Sequence, residues 1–348
     1  MTDHIAARGK RPTIRDVAAL AGVSHQTVSR VINGVDNVRP QTRARVLKTI
    51  DEVRYVPSPL ARGLSANRTH CIGMVTTDVS DHSFAEAVAG AEKEARRRGF
   101  YLMVASVEDA AEEDDSGYLR LFLERRIEGL ILARAHGASE ELLAASAKGI
   151  PIVTIGPQVG DHNAVDVDNV GAAREAVSHL LGRGHRSIAM VTGPADWLAV
   201  HSRIAGYRAA HEEWGAEPAA DVIEHALDWS PTSGQAATAR LLARRVPFSA
   251  LFAHSDLLAL GAIRELRAHG LDVPGDVSVV GYDDIDVAAF FDPPLTTVRQ
   301  PMQTVGALAA SLVIGDVTER TRRRKRAHLL PATVIARESV APLARSAR

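Results

Sequence analysis

The sequence predicts a small all-α headpiece at the N-terminus, followed by a two-lobed α/β domain with parallel sheets. Three observations support this division. The first 68 residues carry 12 Lys and Arg against 5 Asp and Glu, whereas the remaining 280 carry 29 against 37. Residues 13–53 show apolar spacing typical of helices, and from Cys71 onward short apolar runs alternate with amphipathic stretches. A basic segment on an acidic body favours contact with nucleic acid at one end of a protein.

The first helix is predicted from the stretch TIRDVAALAG. Thr13 and Asp16 stand three residues apart before an apolar pattern, as an N-cap and its reciprocal partner do, so the helix is expected to begin near Ile14. Gly22 has the backbone freedom that a helix end requires. The side chains expected to be buried are Val17, Ala18 and Ala21.

A second helix is predicted directly after this turn, with Ser24 as its N-cap. Its inward face is expected to hold Val28, Val31 and Ile32, and its outward face holds His25, Gln26, Ser29 and Arg30. Two helices joined by a turn of three or four residues make a helix-turn-helix, whose second helix enters the major groove of DNA. Gln can pair bidentately with adenine and Arg with guanine. The motif therefore predicts sequence-specific DNA binding, with a solvated face on an ordinary helical bundle as the alternative.

A third helix is predicted to begin at Pro40 and to complete the headpiece. It is expected to cover the first two helices with Val46, Leu47, Ile50 and Val53.

The stretches AGVSHQTVSRVIN and, at residues 55–65, YVPSPLARGLS resemble the headpiece and hinge of the lactose-repressor (LacI) family of bacterial transcription regulators. The resemblance implies a hinge helix that forms on operator DNA, with Leu64 wedged into the minor groove. Ser65 stands where many relatives place a lysine. Packing of Leu64 against its own domain is the alternative. The DNA contacts assigned in this way are Thr13, Ser24, His25, Gln26, Thr27, Ser29, Arg30, Asn37 and Leu64.

The body is predicted to consist of βαβ units. Its short apolar runs include CIGMV, FYLMVAS, EGLILA, PIVTI, SIAMVTG and VSVVGYD, and AHLLPATVIAR is expected to form a strand near the C-terminus. About 270 residues exceed the usual size of one domain, so two lobes are expected. The resemblance covers almost the whole chain and implies the periplasmic-binding-protein-like fold, with Rossmann-like lobes and crossings near 156–168, near 284–300 and shortly after 322–326. Ligand is then expected in the cleft between the lobes.

These assignments divide the chain into a helix-turn-helix headpiece at 1–56, a hinge at 57–69, an effector-binding and dimerisation domain at 70–341, and a C-terminal tail at 342–348. The final stretch ESVAPLARSAR has no leucine heptads, so a homodimer is favoured over a tetramer built on a coiled coil.

Other classes of protein lack support in the sequence. The start MTDHIAARGKRPT has no apolar signal region, no apolar run approaches ~20 residues, and the single cysteine fits a reducing compartment, so we expect a cytoplasmic protein without membrane contact. The stretch HEEWG lacks the second histidine of a zinc helix, and no phosphate loop or nucleophile elbow occurs. We therefore expect no catalytic residue, no metal and no cofactor. The basic run RRRKR is interpreted as a solvated loop.

The effector-binding residues are assigned mainly from the resemblance. Arg203 in HSRIAGY and Asp283 in GYDD match positions from which family members hydrogen-bond a polar ligand, and Arg donors facing a carboxylate suit adjacent hydroxyls. Further candidates are Phe84 and Trp197 as walls, Arg134 from the first lobe, and Ser255, which stands where many relatives have asparagine. Alternatives are a surface position for Arg203, a capping role for Asp283 and a core position for Trp197.

Taken together, the residues and the resemblance predict a transcription regulator, in the first instance a repressor. It is expected to bind a pseudo-palindromic operator as a dimer, with a sugar or sugar derivative as effector. The alternative is a protein whose body only dimerises the DNA-binding head, without effector gating.

Overall fold

The computed structural model describes residues 12–32, 34, 37–55, 68–107, 115–134, 143, 145, 148–158, 160–217, 222–319 and 326–343. The chain divides into two compact units, Met1–His70 and Cys71–Arg348. Each unit has its own hydrophobic core.

The first unit contains three helices: α1 Ile14–Ala21, α2 His25–Ile32 and α3 Pro40–Glu52. The predicted capping box is present, since the Asp16 N–H donates to Thr13 Oγ1 over 3.4 Å and the Thr13 N–H donates to Asp16 Oδ2 over 2.8 Å. Gly22 ends α1 with a φ of 62°, in the left-handed region that favours glycine. The first predicted helix therefore begins and ends where its sequence indicates.

The core of this unit is largely the predicted one, comprising Val17, Ala18, Ala21, Val28, Val31, Val46 and Tyr55. Leu47 is an exception, because it is 50% exposed. Thr49, only 7% exposed, lies on the inward face of α3 together with Val46, Ile50 and Val53. Adjacent residues of a helix point about 100° apart, so Leu47 and Val46 cannot both face the same core. The prediction of Leu47 as a core residue was wrong.

The first lobe of the body is a six-stranded sheet with the order β11-β5-β4-β3-β1-β2, all parallel. Its strands are β1 Cys71–Thr77, β2 Tyr101–Val107, β3 Gly129–Ala133, β4 Ile152–Ile155, β5 Asn163–Val167 and β11 Ala327–Leu330. Its helices are α4 His82–Arg97, α5 Asp115–Glu124 and α10 Met302–Glu319. Apolar side chains of α4 and α10 cover one face of the sheet, and those of α5 cover the other.

The second lobe is a four-stranded parallel sheet with the order β7-β6-β8-β9. Its strands are β6 Ile188–Thr192, β7 Ile223–His225, β8 Ala250–Ala253 and β9 Ser278–Val280. Its helices are α6 Asn169–Gly182, α7 Leu198–Glu213, α8 Pro231–Ala243 and α9 Asp256–Ala268, and a short 3₁₀ helix follows at Asp286–Phe290. Helices α8 and α9 cover one face, and α6 and α7 cover the other. Both lobes thus have the doubly wound arrangement that the alternating pattern predicts.

The chain crosses between the lobes three times, close to the predicted places. The crossings follow β5, β10 (Thr297–Arg299) and β11. Strand β10 pairs antiparallel with β12 (Thr333–Ile335), so two crossing segments form a small sheet of their own. The stretch AHLLPATVIAR is therefore not one strand, because it divides around Pro331 into strands of two different sheets. Proline cannot donate a ladder hydrogen bond, which explains the break.

Within the described residues, no helix is both long and apolar enough to span a membrane.

Candidate functional site

The second helix of the headpiece presents a polar face to solvent. The Thr27 N–H donates to Ser24 Oγ over 3.1 Å, so Ser24 caps α2 as its sequence position indicates. His25, Gln26 and Arg30 are exposed, while Val28 and Val31 are buried on the opposite side. The first turn of α2 contains no acidic residue. Its N-terminus can therefore approach a phosphate without charge repulsion from its own side chains.

The other predicted DNA contacts of this unit differ in accessibility. Thr13 and Asn37 are exposed, whereas Thr27 and Ser29 are half-buried. The hydroxyl of Thr13 also donates to Asp16 Oδ2 over 2.7 Å, within the cap of α1. Leu64 lies outside the described residues.

Between the two lobes of the body lies a cavity of about 110 Å³. By this measure one water needs roughly 10–15 Å³, so the cavity has room for a group the size of one sugar ring. The described residues that line it come from both lobes and from the carboxyl ends of their strands. Five of the predicted effector residues lie here: Phe84, Arg134, Trp197, Arg203 and Asp283.

Arg203 is the central cation of this cavity. Its side chain is buried at 5% exposure, which excludes the surface position considered as an alternative. Its Nε donates to Asn169 Oδ1 over 3.0 Å, and its Nη1 donates to the carbonyl oxygen of His254. The guanidinium carbon lies 3.7 Å from the ring centroid of Tyr282, close enough for a cation–π interaction. Arg203 is therefore held in a fixed orientation by several contacts.

Three carboxylates line the same cavity as Arg203. Burial raises the pKa of Asp283 well above its usual range, and it raises the pKa of Asp166 to about 6 and that of Asp81 in the same direction. The positive charge of Arg203 lowers all three pKa values, but burial dominates. A carboxyl group with a raised pKa accepts hydrogen bonds and, when protonated, also donates one, which suits the hydroxyls of a polyol.

Asp283 connects groups from both lobes. Its Oδ1 accepts a hydrogen bond from Gln300 Nε2 over 2.6 Å and a longer one, 3.5 Å, from Ser83 Oγ of the first lobe. Gln300 also donates to Ser83 Oγ over 3.2 Å. A ligand that bonds to Asp283 would therefore enter a contact network that already joins the lobes.

Aromatic rings form the apolar side of the cavity. The ring centroid of Trp197 lies 6.1 Å from that of Phe84 and 4.9 Å from that of Trp229. Trp197 is partly buried: it packs against the core of the first lobe and also lines the cavity. Aromatic walls with a few convergent polar groups are typical of small-molecule sites.

A larger outer depression of about 790 Å³ adjoins the cavity and shares Trp197, Trp229, Asp81 and Asp283 with it. The aspartates lining this depression are Asp78, Asp81, Asp196, Asp228 and Asp283, and its described lining includes no Lys or Arg. The approach to the cavity therefore holds acidic side chains and, among the described residues, no basic Lys or Arg to offset them.

Ser255 does not line the inner cavity. It is buried, and its Oγ accepts a hydrogen bond from the Leu258 N–H over 3.1 Å as the N-cap of α9. It borders only the outer depression. The hydroxyl of Ser255 thus satisfies a helix terminus, and the assignment of Ser255 as an effector-binding residue stays a prediction that concerns the outer depression.

Several cavity residues were missed by the sequence reasoning. They are Asp81, Asp166, Asn169, Trp229 and Gln300. A signal was available for most of them, since Asp81, Asp166 and Asn169 lie at or just beyond strand ends, as ligand-binding residues of parallel sheets do. Within the described residues, no group of three or more His, Cys, Asp or Glu side chains meets the requirements of a metal site.

Comparison with known families gives two matches. Residues 13–58 match bacterial regulatory proteins of the lacI family, and residues 177–340 match a periplasmic binding protein-like domain.

Similar proteins extend over nearly the whole chain. The HTH-type transcriptional regulator CelR of Thermobifida fusca is 38% identical over 93% of this chain and 98% of its own length. The ribose operon repressor of Escherichia coli K12 is 35% identical over 92% of this chain and 97% of its own.

Solved structures show the same similarity. A complex of CelR with cellobiose is 36% identical, covers 94% of this chain and 100% of its own, and has a TM-score of 0.71. The lac repressor dimer bound to operator and the anti-inducer ONPF is 29% identical, covers 95% of this chain and 100% of its own, and has a TM-score of 0.86.

Proposed function

The chain belongs to the lacI family of bacterial DNA-binding transcription regulators, and from that premise we propose that it represses transcription from a pseudo-palindromic operator, as a dimer controlled by an uncharged sugar. Its relatives are regulators and not enzymes. One observation carries the proposal: a polar cavity built around buried Arg203 lies in the body of a chain whose headpiece exposes Gln26 and Arg30 on a helix-turn-helix.

The DNA half of the proposal rests on the exposed face of α2. Gln26 and Arg30 both project from the recognition helix, and each can bond bidentately to one base edge. Lys48 is exposed on α3, outside the recognition helix, so its expected contribution is a phosphate contact. Base contacts specify sequence, whereas phosphate contacts position the protein and make affinity salt-dependent.

The effector class follows from the charge and shape of the cavity. The outer depression is lined by Asp78, Asp196 and Asp228 and, among its described residues, by no Lys or Arg, so phosphorylated sugars and nucleotides are disfavoured relative to neutral polyols. The inner cavity fits one ring, and the outer depression leaves room for a second ring beside Trp197 and Trp229. CelR, whose complex with cellobiose is known, is similar over nearly the whole chain. We therefore place a neutral disaccharide such as cellobiose ahead of ribose as effector.

The proposed mechanism is a coupling between the cleft and the operator. An effector that bonds to both lobes favours one lobe orientation, and in a dimer this orientation changes the separation of the two hinge segments. Because operator DNA is part of the bacterial chromosome in the cytoplasm, the proposal includes a cytoplasmic location.

The DNA half is tested on the duplex obtained by selection from a random pool. Gln26→Ala and Arg30→Ala should each weaken binding to this site by roughly 1–3 kcal/mol and to random DNA by much less. Lys48→Ala is the control, and any loss it causes should be similar on both DNAs. Equal losses on both DNAs for Gln26→Ala and Arg30→Ala would reject base reading.

The effector half is tested by thermal unfolding with cellobiose, ribose and glucose 6-phosphate. A ligand that binds the folded state at a hundred times its Kd stabilises it by about 2.7 kcal/mol, which raises the melting temperature. Cellobiose should shift the melting temperature most and the phosphate least. If a stabilising sugar leaves operator affinity unchanged, the body only dimerises the head and gating is rejected.

A further inference from the structure

The cleft residue Asp283 sits in an unusual turn together with its neighbour Asp284. Both residues have positive φ angles, 108° and 58°, which non-glycine residues rarely adopt. The Asp283 N–H donates to the carbonyl of Val298 over 2.8 Å, so the turn is fastened to the strand region of β10. A strained conformation of this kind persists only where surrounding contacts determine it.

Asp284 supplies the strongest of these contacts. Its side chain is only 3% exposed and accepts hydrogen bonds from two arginines. Arg299 Nε donates to Oδ2 over 2.6 Å, and Arg337 Nη2 donates to Oδ1 over 2.6 Å. Arg299 is the last residue of β10, and Arg337 lies two residues after β12. One carboxylate therefore binds both segments that make up the antiparallel crossing sheet between the lobes.

Arg337 makes further hydrogen bonds to the crossing segments. Its Nη1 donates to the carbonyl of Leu295 over 2.7 Å, and its backbone N–H donates to Thr296 Oγ1 over 2.9 Å. The adjacent residues Asp283 and Asp284 thus point to different partners, Asp283 to the cleft and Asp284 to the crossing strands.

We propose that Asp284, held by Arg299 and Arg337, is the positioning residue that transmits effector binding at Asp283 to the crossing segments. This inference rests on the proposed function, since it requires an effector that bonds to Asp283. A turn held only by its backbone would absorb a displacement of Asp283 locally. A turn fixed by charge-assisted hydrogen bonds to both crossing segments moves them with it, and these segments set the relative orientation of the lobes.

Arg299→Ala is the main test because the Arg299 side chain is 60% exposed and its removal spares the core. Full-length protein is titrated with selected operator DNA, without sugar and with saturating cellobiose, and the ratio of the two Kd values measures coupling. In Arg299→Ala this ratio should move towards one by at least about fivefold, since couplings typically span roughly 5- to 150-fold. The Kd for cellobiose and the operator Kd without sugar should stay within about threefold of wild type, which is less than the change expected in the ratio.

Arg267→Ala is the matched control, because Arg267 of α9 forms an exposed ion pair with Asp292, and neither residue belongs to β10 or β12. It should leave the ratio unchanged. Asp284→Asn is the second variant, and it should reduce the ratio as Arg299→Ala does. A merely structural role for the cluster would lower the melting temperature without changing the ratio.

A second readout needs no sugar. Spin labels at Lys93 on α4 and Arg208 on α7, both exposed, report the distance between the lobes in a Cys71→Ser background. Arg299→Ala should broaden the distance distribution, and Arg267→Ala should not. If cellobiose does not change the operator affinity of the wild-type protein, cellobiose is rejected as the effector, and the distance measurement still tests the role of Asp284. The inference is overturned if Arg299→Ala keeps the wild-type Kd ratio or the wild-type width of the distance distribution.

Discussion

Replacing Asp283 with asparagine should stabilise the protein and weaken its effector complex at the same time. Burial raises the pKa of Asp283 well above the ordinary 3.8 despite the opposing charge of Arg203, so the ionised form is disfavoured in the folded state. Asparagine has the same shape and keeps an oxygen for the hydrogen bond from Gln300. It removes the charge that burial penalises.

The sign of the pH dependence follows from the raised pKa. Below the unfolded pKa near 3.8 the carboxyl is protonated in both states, and its ionisation has no effect on stability. As the pH rises towards the folded pKa, the unfolded state loses its proton first, which lowers the free energy of unfolding. The advantage of Asp283→Asn should therefore be larger at pH 8 than at pH 5.

The effect on the effector complex has the opposite direction. Because burial disfavours ionisation of Asp283, its carboxyl donates an O–H hydrogen bond that the amide of asparagine cannot reproduce at the same atom. Losing one hydrogen bond between neutral groups should weaken the effector complex by about 0.5–1.5 kcal/mol, or roughly two- to tenfold in Kd.

Urea unfolding at both pH values and calorimetric titration with cellobiose measure the two effects. Asp228→Asn is the control, since hydrogen bonds from Ser230 and Ser233 lower the pKa of Asp228 and its neutralisation should reduce stability at neutral pH. A less stable Asp283→Asn variant, or one with unchanged effector affinity where wild type binds, would refute the reasoning.

Two further predictions concern the hinge and the packing of the first lobe. Leu64→Ala should reduce operator bending, measured by energy transfer across the DNA, and leave effector affinity intact; an unchanged bend angle would indicate that Leu64 packs within its own domain. Gly306→Ala should lower the free energy of unfolding by about 1–3 kcal/mol, because its Cβ would lie 1.9 Å from the Ala87 carbonyl oxygen. Gly315→Ala on the same helix meets nothing within 4 Å and should instead stabilise by about 0.5–1 kcal/mol, so similar urea midpoints for the two variants would contradict the packing argument.

Local sequence patterns identified the helical headpiece and most of its core. The capping box of Thr13 and Asp16, the turn at Gly22 and the cap at Ser24 are each decided by residues within four positions of one another. The pattern failed at Leu47 because four apolar residues compete for one inward face, and the neighbouring helices determine which of them fits.

The prediction of the cavity residues depended more on the family resemblance than on residue types. It located Arg203 and Asp283, while Trp229 and Gln300 were missed because their nearest partners lie far away in sequence. Ser255 was assigned to the effector site by its position in the chain, and the structure shows it as the N-cap of α9 at the border of the outer depression. Pro331 ended a strand, but the sheet to which each half belongs could not be read from the chain alone.

The sequence by itself determined the division into a basic helical headpiece and an α/β body, because charge and apolar periodicity are local properties. Only the tertiary structure decided which side chains surround Arg203 and why burial raises the pKa values of Asp81, Asp166 and Asp283. It also decided that Asp284 accepts hydrogen bonds from both crossing segments. Burial and charge proximity depend on distances between residues as much as 217 positions apart, such as Ser83 and Gln300. Those distances exist only once the two sheets have packed around the crossing strands.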